Sequence, residues 1–474
     1  MGINHISLNR TFILELPDEL LDAIICAAGP IVHNDWHGSD SFKVYEMGIV
    51  LSLVCKRFYR ITVPYLYADL VINSSDNAWG ERKGVFKKLH RSFRENPSLW
   101  PLCRGLIVSY DKKNIGNLYV ATDCITWLTA AKTLTFWGLE GRKAWDLLRL
   151  AIEQKSSCNS LSLRSTYMYN LELRFVINIL GDFKSGFLPN LQTLNLHGIS
   201  LYGDEICQEA LREKAGMAPF TRLELRNFLL TPKTLEGLVR WSRRLEEFEL
   251  RFTCGDDFST PGLYKGWTLA TLQKILSIHR RTLRSITLYA ITLYTIGRPD
   301  IDGLDLRQFE SLEKLSLSSQ ISGHQDYKEE ETLEPPDGLL APGLRVFHWD
   351  LTLVDQQCSE SLAGFSQREE NWLRQLARKA IKRGCPLRRI EIKFTPVEWG
   401  CNSEVYPWDR MDAIGAELRP HGIEVSYNPP SVSKEQFLKI AGSEGFEGQE
   451  NPEMVEDVER IGDIMRDRVI VPTP

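Results

Sequence analysis

Two histidines and an aspartate come closest to a metal-binding spacing in this chain. His33 and His37 are four residues apart with Asp35 between them, and these side chains are donors that a divalent cation accepts. Gly38 and Ser39 follow directly, which favours a loop rather than an ordered metal site. The sequence also lacks the phosphate-binding loop, dinucleotide, hydrolase-elbow and zinc-protease motifs. We therefore expect no catalytic residues, no metal and no cofactor.

Cysteine usage and charge exclude further classes of protein. The ten cysteines are sparse, and the closest two, Cys385 and Cys401, are too far apart for a zinc ribbon or a compact disulfide scaffold. The 57 basic against 62 acidic side chains leave a net charge of −5, which does not favour nucleic acid as a partner. The most apolar short run, Met47–Val54, is too short to span a membrane. We expect an intracellular protein, in the cytoplasm and/or nucleus, without membrane contact.

The acidic charge is concentrated at the C-terminus. Residues 431–474 contain five basic and ten acidic side chains, a balance of −5, so residues 1–430 are neutral as a whole. Pro429, Pro430 and several glycines among the acidic residues disfavour a packed core. The sequence predicts an acidic, flexible tail at 429–474 and a second acidic loop at 323–338.

A short repeated unit dominates the middle of the chain. It consists of an apolar residue, two spacers, an apolar residue, one spacer and an apolar residue. Its ten copies centre on Leu106, Leu134, Leu161, Leu194, Leu223, Phe248, Ile286, Leu315, Phe347 and Ile390. The alternating core of the unit predicts a short strand with one buried face.

Amphipathic segments between the copies predict helices. They run over 144–154, 171–180, 232–242, 269–279 and 370–382, each with apolar residues three and four apart. One strand and one helix cannot bury both of their apolar faces alone, so the units must stack into a solenoid.

This pattern resembles the leucine-rich-repeat family, in an irregular form with long helical returns. The resemblance implies an α/β solenoid of about ten or eleven irregular repeats over residues 101–428. Regular members carry Asn, Cys or Thr three residues after the last leucine of the strand, whereas this chain has Ile199 and Phe228 there. A non-repeating α/β domain is the alternative architecture.

Ahead of the repeats, the sequence predicts a small module of three helices. Pro17, Asp18 and Glu19 suit the first turn of a helix whose apolar face continues through Ile25. Residues 47–61 predict a second helix and 63–70 a third short segment. So small a bundle has little room to bury all its apolar side chains, and we expect some of them to face a partner.

The same residues carry a second resemblance. The Leu16-Pro17 start, the LSLVCKRF block at 51–58 and the Pro64-Tyr65-Leu66-Tyr67 run, in that order, resemble an F-box of the fungal type over residues 12–72. A basic connecting segment at 73–100 would follow. The segment between the first two helices, 29–46, is longer than in a minimal F-box.

The F-box resemblance implies a substrate receptor of an SCF-type cullin-RING ubiquitin ligase. Such a module docks on the Skp adaptor and through it on cullin and RING subunits, while the repeats hold a protein substrate for ubiquitination and proteasomal degradation. The residues that match the docking helices are Leu16, Pro17, Leu20, Ile24, Leu51, Val54, Cys55 and Phe58. Some of them must also hold the helices together. The alternative is a non-catalytic leucine-rich-repeat scaffold or signalling adaptor whose helices merely cap the first repeat.

The residue just after the core of each unit forms a column on the concave face of such a solenoid. Its middle members are Trp137, Arg164, His197, Arg226, Arg251 and Tyr289. At ~4.8 Å between strands, Arg164 through Arg251 would form a basic stripe about 15 Å long. Guanidinium groups suit carboxylate and phosphate, so the hypothesis is that this arginine column binds an acidic or phosphorylated substrate segment. The alternative is a solvated face with Arg–Glu pairs such as Arg226–Glu249.

Overall fold

Twelve parallel strands form one sheet in chain order. The computed structural model describes residues 15–28, 49–73, 85–110, 118–165, 171–181, 188–200, 203–228, 230–252, 267–290, 303–319, 321, 334–352, 362–396 and 405–442. The strands are β1 Asp69–Asn73, β2 Gly105–Ser109, β3 Thr133–Trp137, β4 Ser160–Arg164, β5 Thr193–His197, β6 Arg222–Arg226, β7 Glu247–Phe252, β8 Ser285–Ala290, β9 Lys314–Ser318, β10 Val346–Asp350, β11 Arg389–Lys393 and β12 Glu424–Tyr427. Each strand pairs with the next strand along the chain, and this order defines a solenoid.

The register aligns the apolar residues of every unit. Leu134 lies opposite Leu161, and Phe136 opposite Leu163, and the same pairing recurs along the sheet. These side chains are almost completely buried between the sheet and the helices. The predicted α/β solenoid is confirmed, and its ten predicted units form β2 to β11.

Helices fill the returns between most strands. They are α1 Asp18–Ala28, α2 Lys56–Leu66, α3 Val85–Glu95, α4 Leu118–Trp127, α5 Arg142–Gln154, α6 Leu173–Leu180, α7 Asp204–Arg212, α8 Pro232–Trp241, α9 Leu269–Leu276, α10 Gln367–Arg383, α11 Pro407–Leu418 and α12 Lys434–Gly442. The five predicted helices correspond to α5, α6, α8, α9 and α10. The ends of α10 are well defined, by a capping box of Ser366 with Glu369 and by Gly384 in the left-handed conformation. No described helix is both long and apolar enough to cross a lipid bilayer.

The first and last strands extend the solenoid beyond the predicted repeats. In β1, Ile72 pairs with Val108, which makes Tyr67, Leu70 and Ile72 a further copy of the apolar pattern. In β12, Val425 pairs with Ile390, but Gly422 stands where other units have an apolar residue. Because of that glycine, the apolar repeat pattern does not indicate a unit here, although the strand still forms against β11.

Both predicted ends of the repeat region need correction. The segment predicted as a connector at 73–100 contains α3, whose Phe93 is fully buried and completes the first repeat. The solenoid therefore begins at Asp69 rather than at residue 101. At the other end, Val432 and Phe437 are buried, so packing continues past residue 428 through α12. Residues 443–474 of the predicted tail lie outside the described part of the chain.

The end of the predicted acidic loop packs on a helix. Lys379 Nζ donates to Pro335 O at 2.8 Å, and Arg383 pairs with Asp337. These basic side chains of α10 thereby hold the segment that leads into β10 against the helical layer. Residues 322–333 of that loop are outside the described residues.

The N-terminal module contains a break that the periodicity did not indicate. Residues 49–52 make only a short helical turn, and the backbone is extended at Cys55, with φ −162° and ψ 170°. Helix α2 then begins at Lys56 and includes the first half of the predicted third segment, with Pro64, while Asp69 and Leu70 already belong to β1. The prediction of one helix over 47–61 is wrong because spacing of apolar residues does not locate an N-cap.

Candidate functional site

The predicted column lies on adjacent strands in exact register. Pairing places Trp137, Arg164, His197, Arg226, Arg251 and Tyr289 opposite one another across β3 to β8. Each alternates with a buried leucine or phenylalanine, so the column faces away from the core. The alignment that the sequence predicted for this arginine column is therefore present, while its role in binding stays a prediction.

Left-handed turns extend the register past the strands. Gly138, Gly198 and Asn227 directly follow column residues and have φ of 74°, 76° and 53°. Each donates its N–H to the carbonyl of the next column residue, as in Asn227 N to Arg251 O at 2.8 Å. Glycine and asparagine adopt this conformation at little cost. The chain therefore turns away from β3, β5 and β6 at equivalent positions, directly after the column residue.

Carboxylates on the same face compensate the arginines. Glu249 Oε1 lies 2.6 Å from Arg251 Nε and 3.8 Å from Arg226 Nη2. Its side chain is largely buried between the two guanidinium groups. The Arg226–Glu249 pair of the alternative interpretation is thus present, and the Arg251–Glu249 pair is tighter.

A second set of pairs runs beside the column. Arg222 Nε lies 2.6 Å from Glu224 Oε1, and Arg222 Nη1 lies 3.0 Å from Glu247 Oε2. Asn195 Nδ2 donates to the other oxygen of Glu224 at 2.7 Å. Paired opposite charges therefore cover this face on β6 and β7, so it is not an uncompensated basic surface there.

Aromatic rings support two of the arginines. The Arg251 guanidinium carbon lies 4.5 Å from the ring centre of Tyr289, and that of Arg164 lies 5.6 Å from Trp137. The Tyr289 hydroxyl is 3.3 Å from His348 Nδ1. Burial raises the pKa of Tyr289, with a contribution from Asp350, and burial lowers the pKa of His348. Both side chains are therefore neutral at pH 7.

A cleft of about 350 Å³ opens beside these residues. It is lined by Arg222, Glu247, Phe248, Glu249, Arg251, Ser285, Thr287, Tyr289, Lys314, Ser316 and His348. It forms where the short side chains of Ser285, Thr287 and Ser316 on β8 and β9 lie between longer side chains of β7 and β10. From this lining the sequence patterns identified only Arg251, Tyr289 and, as a partner of Arg226, Glu249, although the short residues at the spacer positions of β8 could have indicated a cleft.

The N-terminal module has a small core of its own. Leu21, Ile25, Phe58 and Ile61 are buried together, with Leu16, Leu51 and Cys55 packed against them. Of the residues matched to adaptor docking, Phe58 belongs to this core, whereas Leu20, Ile24 and Val54 are 52%, 44% and 57% exposed. Pro17 is also exposed. The resemblance therefore combined core residues and surface residues in one set.

Polar contacts fix which side of α1 faces α2. Asp18 accepts hydrogen bonds from Arg57 Nε at 2.6 Å and from Arg60, and the Arg57 bond is the main reason that the pKa of Asp18 is lowered. Tyr65 donates to Asp22 at 2.7 Å, and this bond raises the pKa of Tyr65 to about 12. Leu20 and Ile24, one helical turn apart, are left on the other side of α1.

Further apolar side chains are exposed in the same module. Val50 and Leu53 are both largely exposed, although the resemblance did not select them. No set of three or more His, Cys, Asp or Glu side chains is placed to hold a metal within the described ranges. His33, Asp35 and His37 fall outside those ranges.

Comparison with known proteins finds similarity among solved structures. No protein-family model matches the sequence, and no curated protein sequence matches it. The chain folds as an α/β solenoid. Among solved structures it is similar to the leucine-rich-repeat-containing protein LegL7 from Legionella pneumophila, at 15% sequence identity and a TM-score of 0.41. That match covers 67% of this chain and 95% of the other. The assignment of the solenoid rests on the twelve-strand register and not on this similarity.

Proposed function

We propose that this protein is the substrate-recognition subunit of an SCF-type cullin-RING ubiquitin ligase. Its N-terminal helices would dock on the Skp adaptor, and the concave face of the solenoid would bind the protein substrate. The observation that carries the proposal is the exposed row of Leu20 and Ile24 on a module that resembles an F-box.

The physical basis is that one face of α1 packs against α2 while another is exposed. Leu21 and Ile25 bury the helix against α2, while Asp18 is bonded to Arg57. Leu20 and Ile24 lie outside that core and are about half exposed, and an exposed apolar helix face is costly unless a partner covers it. An apolar helix face in a partner's groove is a recurrent mode of protein recognition.

The receptor role assigns no chemistry to this chain. Ubiquitin transfer would take place on the cullin and RING side of the complex, in the cytoplasm or nucleus. Among the predicted column residues, Arg226 and Arg251 would contact the substrate, and an acidic or phosphorylated segment would have to compete with Glu249 for them.

The second candidate is a leucine-rich-repeat scaffold or signalling adaptor outside any ligase. It is favoured by the direct run of α2 into β1, where the Tyr67 ring lies 5.5 Å from that of Phe93. In this case the module would serve to cover the open end of the sheet.

Adaptor binding by purified proteins separates the two candidates. We expect the wild-type chain to bind the Skp adaptor and Leu20→Asp with Ile24→Asp to weaken binding about a hundredfold or more, because two anchors are lost. Ile206→Asp is the matched control, since Ile206 is an equally exposed isoleucine on α7. Titration calorimetry would measure both, and circular dichroism would check folding. A wild-type chain that fails to bind the adaptor would exclude the receptor role.

A further inference from the structure

The concave cleft over β7 to β10 contains hydroxyl groups that make no hydrogen bond to the described residues. Glu249, Thr287, Ser316 and His348 form one row across these four strands. Ser316 is only 2% exposed and lines the cleft, yet neither its hydroxyl nor that of Thr287 bonds to any described residue. Hydroxyls that line a cleft and bond to no described residue are open to a hydrogen-bonding ligand, so this floor is suited to one.

His348 adds a directed donor to the same floor. Its Nδ1 lies 3.3 Å from the hydroxyl of Tyr289. Burial keeps the tyrosine protonated and the imidazole neutral. When Tyr289 donates to Nδ1, the neutral imidazole carries its proton on Nε2 and keeps one N–H to donate, and His348 is part of the cleft lining.

The charges of the cleft are already compensated. Arg222 lies 2.6 Å from Glu224, Arg251 lies 2.6 Å from Glu249, and Lys314 lies 3.3 Å from Glu391. A phosphate dianion or a carboxylate would have to separate these pairs and lie beside Glu247 and Glu249. A neutral ligand avoids both costs.

We propose that this cleft binds a primary carboxamide, the side chain of an asparagine or glutamine in a protein partner, in preference to a carboxylate or a phosphate. The carboxamide oxygen accepts from Ser316, Thr287 and His348 Nε2. The carboxamide nitrogen donates to the carboxylate of Glu249. This complementarity matches the mixture of donors and acceptors that the cleft offers. The inference rests on the proposed function only in taking the occupant to be part of a protein.

Ligand-observed NMR on the full chain tests the preference directly. The probes are the N-acetyl N-methylamides of glutamine, glutamate and O-phosphoserine. We expect the glutamine probe to bind at least about tenfold more tightly than the other two, because each of them leaves the Glu249 carboxylate facing another anion. Equal or tighter binding of the glutamate or phosphoserine probe would overturn the inference, and so would the absence of binding by all three.

A matched pair of variants locates the site. Ser316→Leu fills the floor of the cleft and should remove binding of the glutamine probe. Ser162→Leu is the control, since Ser162 holds the same position on β4, is also buried and lies outside the cleft. An equal effect of both variants would refute the site, and the three-probe comparison on the wild-type chain remains decisive if either variant fails to fold.

The two proposals fail independently. Leu20→Asp with Ile24→Asp should leave probe binding unchanged. Probe binding without adaptor binding would exclude the ligase role and support the carboxamide site. Adaptor binding without probe binding would support the ligase role and exclude the carboxamide site.

Discussion

Lys155 shows how one buried charge is accommodated in the solenoid. It is fully buried, and its Nζ donates to Ile125 O at 2.6 Å and to Leu128 O. These carbonyls lie at the end of α4, where a helix leaves its acceptors unsatisfied. Burial lowers the pKa of Lys155 to about 8. The lysine therefore acts as a C-terminal cap supplied from the next repeat.

The stability of the fold should depend on pH through this lysine. Because the pKa of Lys155 is lowered in the folded protein, the unfolded chain binds more protons between pH 8 and 10.5. The free energy of unfolding of the wild type therefore increases relative to that of Lys155→Met as pH rises. We expect the difference in free energy of unfolding to change by about 2 kcal/mol between pH 7.5 and 9.5.

Urea unfolding of both proteins measures this difference. The thiols of Cys103, Cys124 and Cys158 have pKa values raised to about 12 by burial, so they destabilise both folded proteins alike above pH 9 and cancel in the comparison. A difference that stays constant with pH would contradict the assignment of the lowered pKa to Lys155.

At the scale of the strands, the balance of charge on the concave face is testable. Glu249 lies between Arg226 and Arg251, and its side chain and that of Arg226 are mostly buried. Replacing it by glutamine leaves two arginines without their carboxylate. We expect Glu249→Gln to lower the free energy of unfolding by about 1–2 kcal/mol, and Glu247→Gln on the same strand, which is half exposed, by less than about 0.5 kcal/mol.

Thermal or urea unfolding of these variants decides between two interpretations of the arginine column. A loss confined to Glu249→Gln means that the arginines are structural partners of the carboxylate. Equal stability of the two variants would mean that Arg226 and Arg251 are available to an acidic ligand.

At the scale of the whole molecule, the last repeat needs its own cover. Asn428 bonds with both groups of its amide to Phe394, accepting from N at 2.7 Å and donating to O at 2.8 Å. Tyr406 donates to Val432 O at 2.6 Å, and its ring lies 5.4 Å from that of Phe437. In a solenoid each unit contacts only its neighbours, so the terminal unit depends on such contacts.

Removing one ring from this cover should loosen one end of the solenoid. We expect Phe437→Ala to cost about 3 kcal/mol locally and to increase amide hydrogen exchange in α11 and β12, with little change near β3 to β5. Leu438→Ala is the control, since the neighbouring leucine is 55% exposed. Uniform loss of protection along the whole sheet would show that the solenoid unfolds as a single unit.

The sequence by itself determined the strands β2 to β11 and the alignment of the arginine column, because both follow from a local period of two that each repeat carries. Tertiary structure decided the rest. Glu249 compensates Arg226 from the next strand, and Asp18 meets Arg57 from another helix. Which apolar residues of α1 stay exposed, where β1 and β12 form, and that a cleft opens over β8 all depend on neighbours distant in the chain. A local pattern does not contain these contacts, since each arises only when separate units pack.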